Sequence, residues 1–204
     1  MNAEVERPVV VAVTGTHSTG KSTFLARLAH ELRRKKVTVA TVADLGEQAQ
    51  RIGLPILGSH TSASTLWIMT RGISNEIEAW VHSDVILVDR PVPDALAYYR
   101  AALEYRNEVP DPAVMLQLES LALGHAGRYD LLFRTTLDPS IPLGDNKNRD
   151  TDAVFRRLAD RHVADVLAEL GLVHEVLPVD GHDQALALAI SVVDRHLAGE
   201  QSSH

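Results

Sequence analysis

The chain has 204 residues, of which 45% are hydrophobic, and a formal net charge of −7 at pH 7, so it suits one domain with a substantial core. The acidic balance argues against a protein that depends on a basic surface to bind nucleic acid. The lack of cysteine excludes disulfides, thiolate nucleophiles and zinc-thiolate sites, and it favours a reducing cytoplasm.

The hydropathy and the two ends of the chain set the expected domain limits. No uninterrupted apolar run reaches the roughly 20 residues that span a bilayer, and the first residues lack the basic and apolar pattern of a secretory leader. Segments 1–7 and 199–204 are polar and without periodicity, so we expect them to be flexible. We therefore predict a soluble, unprocessed single domain over 1–204.

Short apolar runs alternate with helical patterns along the chain. The predicted strands are 8–13, 37–43, 85–88, 131–135 and 173–177. The predicted helices are 21–36, 62–81, 93–105, 113–125, 152–170 and 183–197. This alternation predicts an α/β fold in which helices flank a five-stranded parallel sheet. Segments 53–61 and 137–151 lack regular patterning, and the second is polar enough to be a mobile lid.

Residues 15–22, GTHSTGKS, match the P-loop pattern GxxxxGKS between the first predicted strand and the first predicted helix. Its glycines let successive N–H groups point at phosphate oxygens, and the helix N-terminus adds positive potential. We expect Lys21 to reach the β- and γ-phosphates and Ser22 to coordinate magnesium. His17 is expected to contribute its backbone N–H rather than act as a base. The predicted nucleotide-binding residues are Gly15, Thr16, His17, Ser18, Thr19, Gly20, Lys21, Ser22 and Thr23.

A second motif, Asp89-Arg90 followed after six intervening residues by Ala97-Tyr98, comes directly after the third predicted strand. With this segment the chain resembles P-loop small-molecule kinases of the nucleoside and nucleotide kinase group, in particular thymidylate-kinase-like and nicotinamide-riboside-kinase-like domains of the AAA type. The resemblance implies a three-layer P-loop NTPase fold in which Asp89 assists magnesium through water and Arg90 binds a phosphate of donor or acceptor. An ion pair at the strand end is the alternative for these two residues.

The polar stretch 145–149, DNKNR, lies where kinases of this type carry an arginine-bearing lid. We expect Lys147 and Arg149 to neutralise charge on the phosphoryl group in transfer, with a solvated loop as the alternative. The GTPase motifs fail, because position 149 is not aspartate and Asp44-Leu45-Gly46 is one residue short of DxxG. ATP with Mg²⁺ is therefore the predicted nucleotide.

Several residues are candidates for the acceptor side. Asp44 ends the second predicted strand and suits the carboxylate that orients an acceptor hydroxyl, although N-capping explains it equally well. Trp67 and Arg71, spaced i and i+4, are predicted to present a stacking plate and a cation, with core packing and a surface ion pair as the alternative. Tyr98 matches the family tyrosine and is predicted to line the acceptor pocket.

The remaining patterns add little chemistry. The histidines show no metal-ligand spacing, so magnesium is expected to arrive with the nucleotide. The resemblance places 180–182 around the adenine.

The leading prediction is a cytoplasmic ATP-dependent kinase that phosphorylates a nucleoside, a nucleotide or a similar small metabolite. A hydrolytic NTPase switch is the alternative, with Glu47 or Gln48 orienting the attacking water. A nucleic-acid kinase is disfavoured by the acidity and the scarcity of aromatic residues. We expect no membrane or nucleic-acid partner, and a homodimer stays open.

Overall fold

The computed structural model describes residues 7–16, 19–136, 152–178 and 181–201. Its centre is a five-stranded parallel sheet with the strand order β2-β3-β1-β4-β5. The strands are β1 (Val9–Thr14), β2 (Val39–Val42), β3 (Val85–Asp89), β4 (Leu131–Thr135) and β5 (Glu175–Leu177). β1 and β3 consist almost wholly of buried apolar residues, as expected for central strands covered on both faces.

The described residues form seven α-helices and one short 3-10 helix, η1. The helices are α1 (Lys21–Arg34), α2 (Gly46–Arg51), α3 (Ser62–Trp80), α4 (Val92–Tyr105), α5 (Pro112–Ala126), α6 (Ala153–Glu169) and α7 (His182–Gln201), and η1 covers Leu57–Ser59. Side-chain caps fix several starts, since Thr61 and Ser64 form a capping box on α3 and Asp111 and Asp152 cap α5 and α6.

The helices form a layer on each face of the sheet. Along β1, Val9, Val11 and Val13 pack into one apolar cluster with α1 and α7, whereas Val10 and Ala12 pack into the other with α3, α4, α5 and α6. This alternation follows from the two-residue period of a strand. The predicted three-layer α/β fold with a parallel five-stranded sheet is confirmed.

Several element bounds differ from the predicted ones. β5 begins at Glu175 rather than at Val173, whose side chain is 89% exposed, and α7 continues to Gln201 instead of ending at Leu197. Within the predicted irregular stretch 53–61, Leu57–Ser59 forms η1. Arg7 donates hydrogen bonds to the Arg128 carbonyl and to Asp130. Of the helices in these described ranges, none has the length and hydropathy needed to cross a bilayer.

Helix α4 is buried on nearly every side, because it is enclosed by α3, α5 and α6. Phe155 on α6 is fully buried and makes edge-on contacts with the rings of Tyr98 and Tyr105 on α4. The contact joins α4, which carries part of the site described below, to the layer behind it.

We predict that Phe155→Ala lowers the free energy of unfolding by about 3–5 kcal/mol, because it opens a cavity between α4 and α6. Urea titration followed by circular dichroism measures this value. Leu123→Ala, at a side chain that is 60% exposed on α5, is the matched control and should change the free energy by less than about 0.5 kcal/mol. Equal effects of the two substitutions would contradict the packing described here.

Candidate active site

The turn after β1 begins with a glycine that no other residue can replace without rearrangement. Gly15 has φ of 125°, and a Cβ there would collide with the Thr135 hydroxyl and lie 2.7 Å from its carbonyl oxygen. Thr135, at the end of β4, donates to the Thr14 carbonyl at 3.2 Å and shares a hydrogen bond with the Thr19 hydroxyl at 2.6 Å. The P-loop therefore rests directly against the end of β4.

Lys21, the first residue of α1, is folded back onto the P-loop. Its ammonium group donates to the Thr16 carbonyl and, at 3.4 Å, to the Thr19 hydroxyl. Burial, followed by the nearby Arg90 charge, lowers the pKa of Lys21 to about 7, against the opposing effect of neighbouring carboxylates. A bound phosphate would supply the negative charge that this buried ammonium lacks.

Ser22 and Asp89 meet where the P-loop faces the end of β3. The Ser22 hydroxyl donates to Asp89 Oδ2 at 2.6 Å, while the buried Oδ1 has no hydrogen-bond partner among the described residues. A hydroxyl beside a carboxylate with a spare oxygen is the oxygen-donor set that suits Mg²⁺ held partly through water. Within the described ranges, no three His, Asp or Glu side chains gather as a metal site of their own.

Arg90 connects the P-loop to the neighbouring strand. Its backbone adopts the left-handed conformation, with φ of 67°. Its Nε donates to Asp44 Oδ2 at 2.8 Å, its Nη1 donates to the Gly15 carbonyl at 3.2 Å, and its guanidinium lies 4.8 Å from the ring centroid of Tyr98. Despite burial, Tyr98 and the surrounding carboxylates raise the pKa of Arg90, so it stays charged.

Asp44 lies just beyond β2 with its carboxylate half-exposed at the cavity. Its second oxygen accepts the Gly46 N–H at 2.9 Å. Burial alone would raise the pKa of Asp44, but the Arg90 charge and the Gly46 hydrogen bond together lower it below its usual value. The Asp44 carboxylate therefore stays ionised, and it can accept a hydrogen bond from a ligand hydroxyl and so orient it.

These side chains line one cavity of about 820 Å³. It begins at the P-loop, passes Asp44, Asp89 and Arg90, and ends against α3 and the start of α4. The carboxyl ends of β2 and β3 and the P-loop that follows β1 line it, which is the edge where ligands bind to open α/β sheets. The volume is that of a small-molecule site.

Four further residues at the site were not predicted from the sequence. Asp94 on α4 accepts hydrogen bonds from the Thr14 hydroxyl and, at 3.4 Å, from the Gly15 N–H. An acid in the apolar first half of α4 is the only local signal that it carries. His60, Glu76 and Thr135 have no local signal, because their roles depend on contacts between distant parts of the chain.

The predicted substrate residues on α3 do not reach the cavity. The α3 face that lines it carries Ile68, Gly72 and Glu76, whereas Trp67 is half-buried and Arg71 exposed on other faces. Tyr98 does line the cavity and is 6% exposed. The structure thus brings Asp44, the Asp89-Arg90 pair and Tyr98 together at one cavity. Trp67 and Arg71 are not among its lining residues.

Other predicted residues lie outside or beside this cavity. His17 and Ser18, as well as the segment 137–151 with Lys147 and Arg149, lie outside the described residues. His182, at the start of α7, lies against the P-loop, since a Cβ on Gly20 would be 3.5 Å from its ring.

Comparisons with known proteins agree with this geometry. A family model described as an AAA domain matches residues 10–184. The chain is similar to a NadR protein solved in complex with NR, with a TM-score of 0.61 and 17% identity, covering 92% of this chain and 50% of that one. It is also similar to thymidylate kinase from Ehrlichia chaffeensis, with a TM-score of 0.58 and 15% identity, covering 92% of this chain and 100% of that one.

The chain therefore spans half the length of the NadR protein. No curated protein matches the sequence. At these identities the likeness shows the fold, and the predicted resemblance to P-loop nucleoside and nucleotide kinase domains is confirmed at that level.

Asp94 makes the stability of the site depend on pH. Burial raises the pKa of Asp94 to about 6, against the effects of Arg90, Thr14 and Lys21. Between the pKa that Asp94 has in the unfolded chain and pH 6, the folded protein holds one more proton than the unfolded chain, and this proton is on Asp94. The free energy of unfolding should therefore fall by up to about 1.4 kcal/mol per pH unit as pH rises over this window, and level off above it.

Asp94→Asn mimics the protonated acid and should lack this contribution. Urea titrations of both proteins between pH 4.5 and 7.5 measure the difference in unfolding free energy. The wild-type protein should lose stability relative to the variant up to about pH 6 and run parallel to it above that value. Parallel curves over the whole range would show that Asp94 does not titrate as described.

Proposed function

We propose that this chain, which belongs to the AAA domain family, is an ATP-dependent phosphotransferase. It transfers the γ-phosphate to a small metabolite of the nucleoside or nucleotide type. The observation that carries this proposal is the cavity of about 820 Å³, which continues from Lys21 and Ser22 past Arg90 to the wall formed by α3. Hydrolysis needs room for one water beside the phosphates, whereas this cavity has room for a second small molecule.

The donor half is built from the P-loop. Its backbone N–H groups and Lys21 would bind the triphosphate, with Lys21 exchanging the loop carbonyl for phosphate oxygens. Ser22 and Asp89 would hold Mg²⁺, which supplies charge neutralisation on the phosphates when it is bound. His182, packed against the P-loop, supports placing the adenine near the start of α7.

The acceptor half begins at Asp44 and Arg90. In phosphoryl transfer the protein mainly positions the reactants and stabilises negative charge on the moving group. Arg90 lies between the P-loop carbonyl of Gly15 and Asp44, so its remaining N–H groups are suited to the transferring phosphoryl group. Arg149 closing over the phosphates stays a prediction, as do a cytoplasmic location and a homodimer.

The hydrolytic alternative finds less support among the described residues. Glu47 lines the cavity, but its side chain is exposed and forms an ion pair with Arg51 at 3.3 Å. Gln48 is exposed and is not among the residues that line the cavity. Neither side chain is held in place to orient an attacking water.

The proposal is tested by incubating the protein with ATP, Mg²⁺ and a pool of nucleosides and their 5′-monophosphates. ADP formation should rise several-fold over the rate without the pool, and mass spectrometry should find a pool compound heavier by one phosphoryl group. Lys21→Ala should lower the rate by about 100-fold or more, because it removes a positive charge that stabilises the phosphates in the transition state. Lys35→Ala, at the exposed end of α1, is the matched control and should leave the rate unchanged.

If ADP forms equally fast without the pool and no pool compound is phosphorylated, the protein is a hydrolytic NTPase and the proposed kinase activity is wrong.

Lys21 also predicts proton uptake on nucleotide binding. With a pKa of about 7, its amine is largely neutral in the free protein at pH 8.5, and triphosphate binding should return the proton. Titration calorimetry with a non-hydrolysable ATP analogue, in two buffers of different ionisation enthalpy, should show uptake that approaches one proton between pH 7.5 and 9. The protein should take up protons from the buffer and not release them. The absence of uptake would show that the Lys21 amine is already charged in the free protein.

A further inference from the structure

We infer that the acceptor is a hydroxyl compound without a phosphate group of its own, and that His60 binds an uncharged polar group of that compound. The inference rests on the proposed function and narrows its substrate class. It concerns the acceptor end of the cavity, which we define as the part lined by Asp44, His60, Glu76, Arg90 and Tyr98.

The charges of the acceptor end oppose an anionic acceptor. Among the five residues that define it, Arg90 is the only cation, and that guanidinium already binds Asp44 and the Gly15 carbonyl. Arg106, whose charge also acts on His60, does not line the cavity and is bound to Glu108 at 2.8 Å and to the Gly58 carbonyl at 2.7 Å, while Arg33 lines the cavity from the end of α1. Glu76, 2% exposed, adds a second carboxyl group to the wall, and its hydrogen-bond partners, His125 at 2.8 Å and the Tyr129 hydroxyl at 3.4 Å, are not among the lining residues. A phosphate monoester brings about −1.5 to −2 charges near neutral pH.

The repulsion is large on the scale of binding. Like charges a few ångströms apart near a protein surface repel strongly enough to weaken binding by more than tenfold. An acceptor phosphate would therefore need further unpaired cations, and the acceptor end offers none within the described part of the chain. A neutral or cationic acceptor meets no such penalty from Asp44 and Glu76.

His60 supplies an uncharged recognition group at the same end. It is 4% exposed, and neither ring nitrogen has a hydrogen-bond partner among the described residues. Burial, then the Arg106 and Arg90 charges, lowers the pKa of His60 to about 4, so the imidazole is neutral near pH 7. A neutral imidazole offers one donor and one acceptor, which suit a hydroxyl, carbonyl or amide group.

The surroundings of His60 make it costly to leave unpaired. The centroid of its ring lies 6.3 Å from that of Tyr98, and the apolar side chains Leu57 and Ile68 also line the cavity. A buried polar group without a partner has lost its hydrogen bonds to water, so a ligand that satisfies either nitrogen gains binding energy there. The same cost disfavours a wholly apolar occupant.

The transfer step is that of a hydroxyl acceptor. The acceptor oxygen forms a bond to the γ-phosphorus while the bond from that phosphorus to the β,γ-bridging oxygen breaks, and ADP leaves with the electron pair. The hydroxyl proton passes to the Asp44 carboxylate and from there to solvent. A dianionic phosphate acceptor has no such proton to lose, so Asp44 would keep only its contacts with Arg90 and the Gly46 N–H.

The test uses matched pairs, each nucleoside against its own 5′-monophosphate, supplied singly with MgATP to the full-length protein. The expected result is transfer to at least one nucleoside with kcat/KM at least tenfold above that for its monophosphate. Preferred transfer to a monophosphate overturns the inference but leaves the proposed kinase intact. Transfer to neither member of any pair, with ADP formed at an undiminished basal rate, removes the proposed function itself.

The role of His60 has its own readout on the nucleoside that is turned over. His60→Leu should raise KM by about 3- to 10-fold with kcat nearly unchanged, because a binding contact is lost without loss of phosphoryl-transfer groups. His82→Leu, at an exposed histidine, is the matched control. An unchanged KM in a folded His60→Leu protein would show that His60 does not bind the acceptor.

Discussion

The guanidinium of Arg90 is the contact on which the geometry of the site depends. It reaches the Gly15 carbonyl of the P-loop, Asp44 beyond β2 and the ring of Tyr98 on α4. Three elements that follow different strands are thereby held at fixed distances by one buried charge. Burying such a charge is unfavourable unless its donors are matched, and here a carboxylate, a carbonyl and an aromatic face match them.

The P-loop is held from the opposite side as well. Thr135 contacts Gly15 from the end of β4, while Asp94 accepts hydrogen bonds from Thr14 and the Gly15 N–H. Left-handed backbone at a residue such as Arg90 costs of order 1–3 kcal/mol and persists only where the surroundings impose it. The packed α4 helix supplies that constraint, and through Asp94 it also fixes the Gly15 N–H at the start of the P-loop.

The sequence predicted those parts of the site that depend on local pattern or on strand ends. The P-loop has its own motif, and Asp44 and Asp89-Arg90 meet because the carboxyl ends of parallel strands share one edge. The sequence did not predict which face of α3 turns inward. Trp67 differs from Ile68 by one residue, or about 100° around the helix, and packing against other elements sets that rotation. His60 was missed because its place beside Tyr98 joins segments far apart in the chain.

The two halves of the cavity also differ in charge, and in the proposed reaction this difference sorts the two substrates. The P-loop half directs Lys21 and backbone N–H groups at the donor, so it favours a polyanion. Among the described residues that define the acceptor end, two carry carboxyl groups, Asp44 and Glu76, and one is a cation, Arg90. This end therefore disfavours a polyanion. In the proposed reaction, a second triphosphate would therefore be disfavoured at the acceptor end by charge rather than by a steric obstacle.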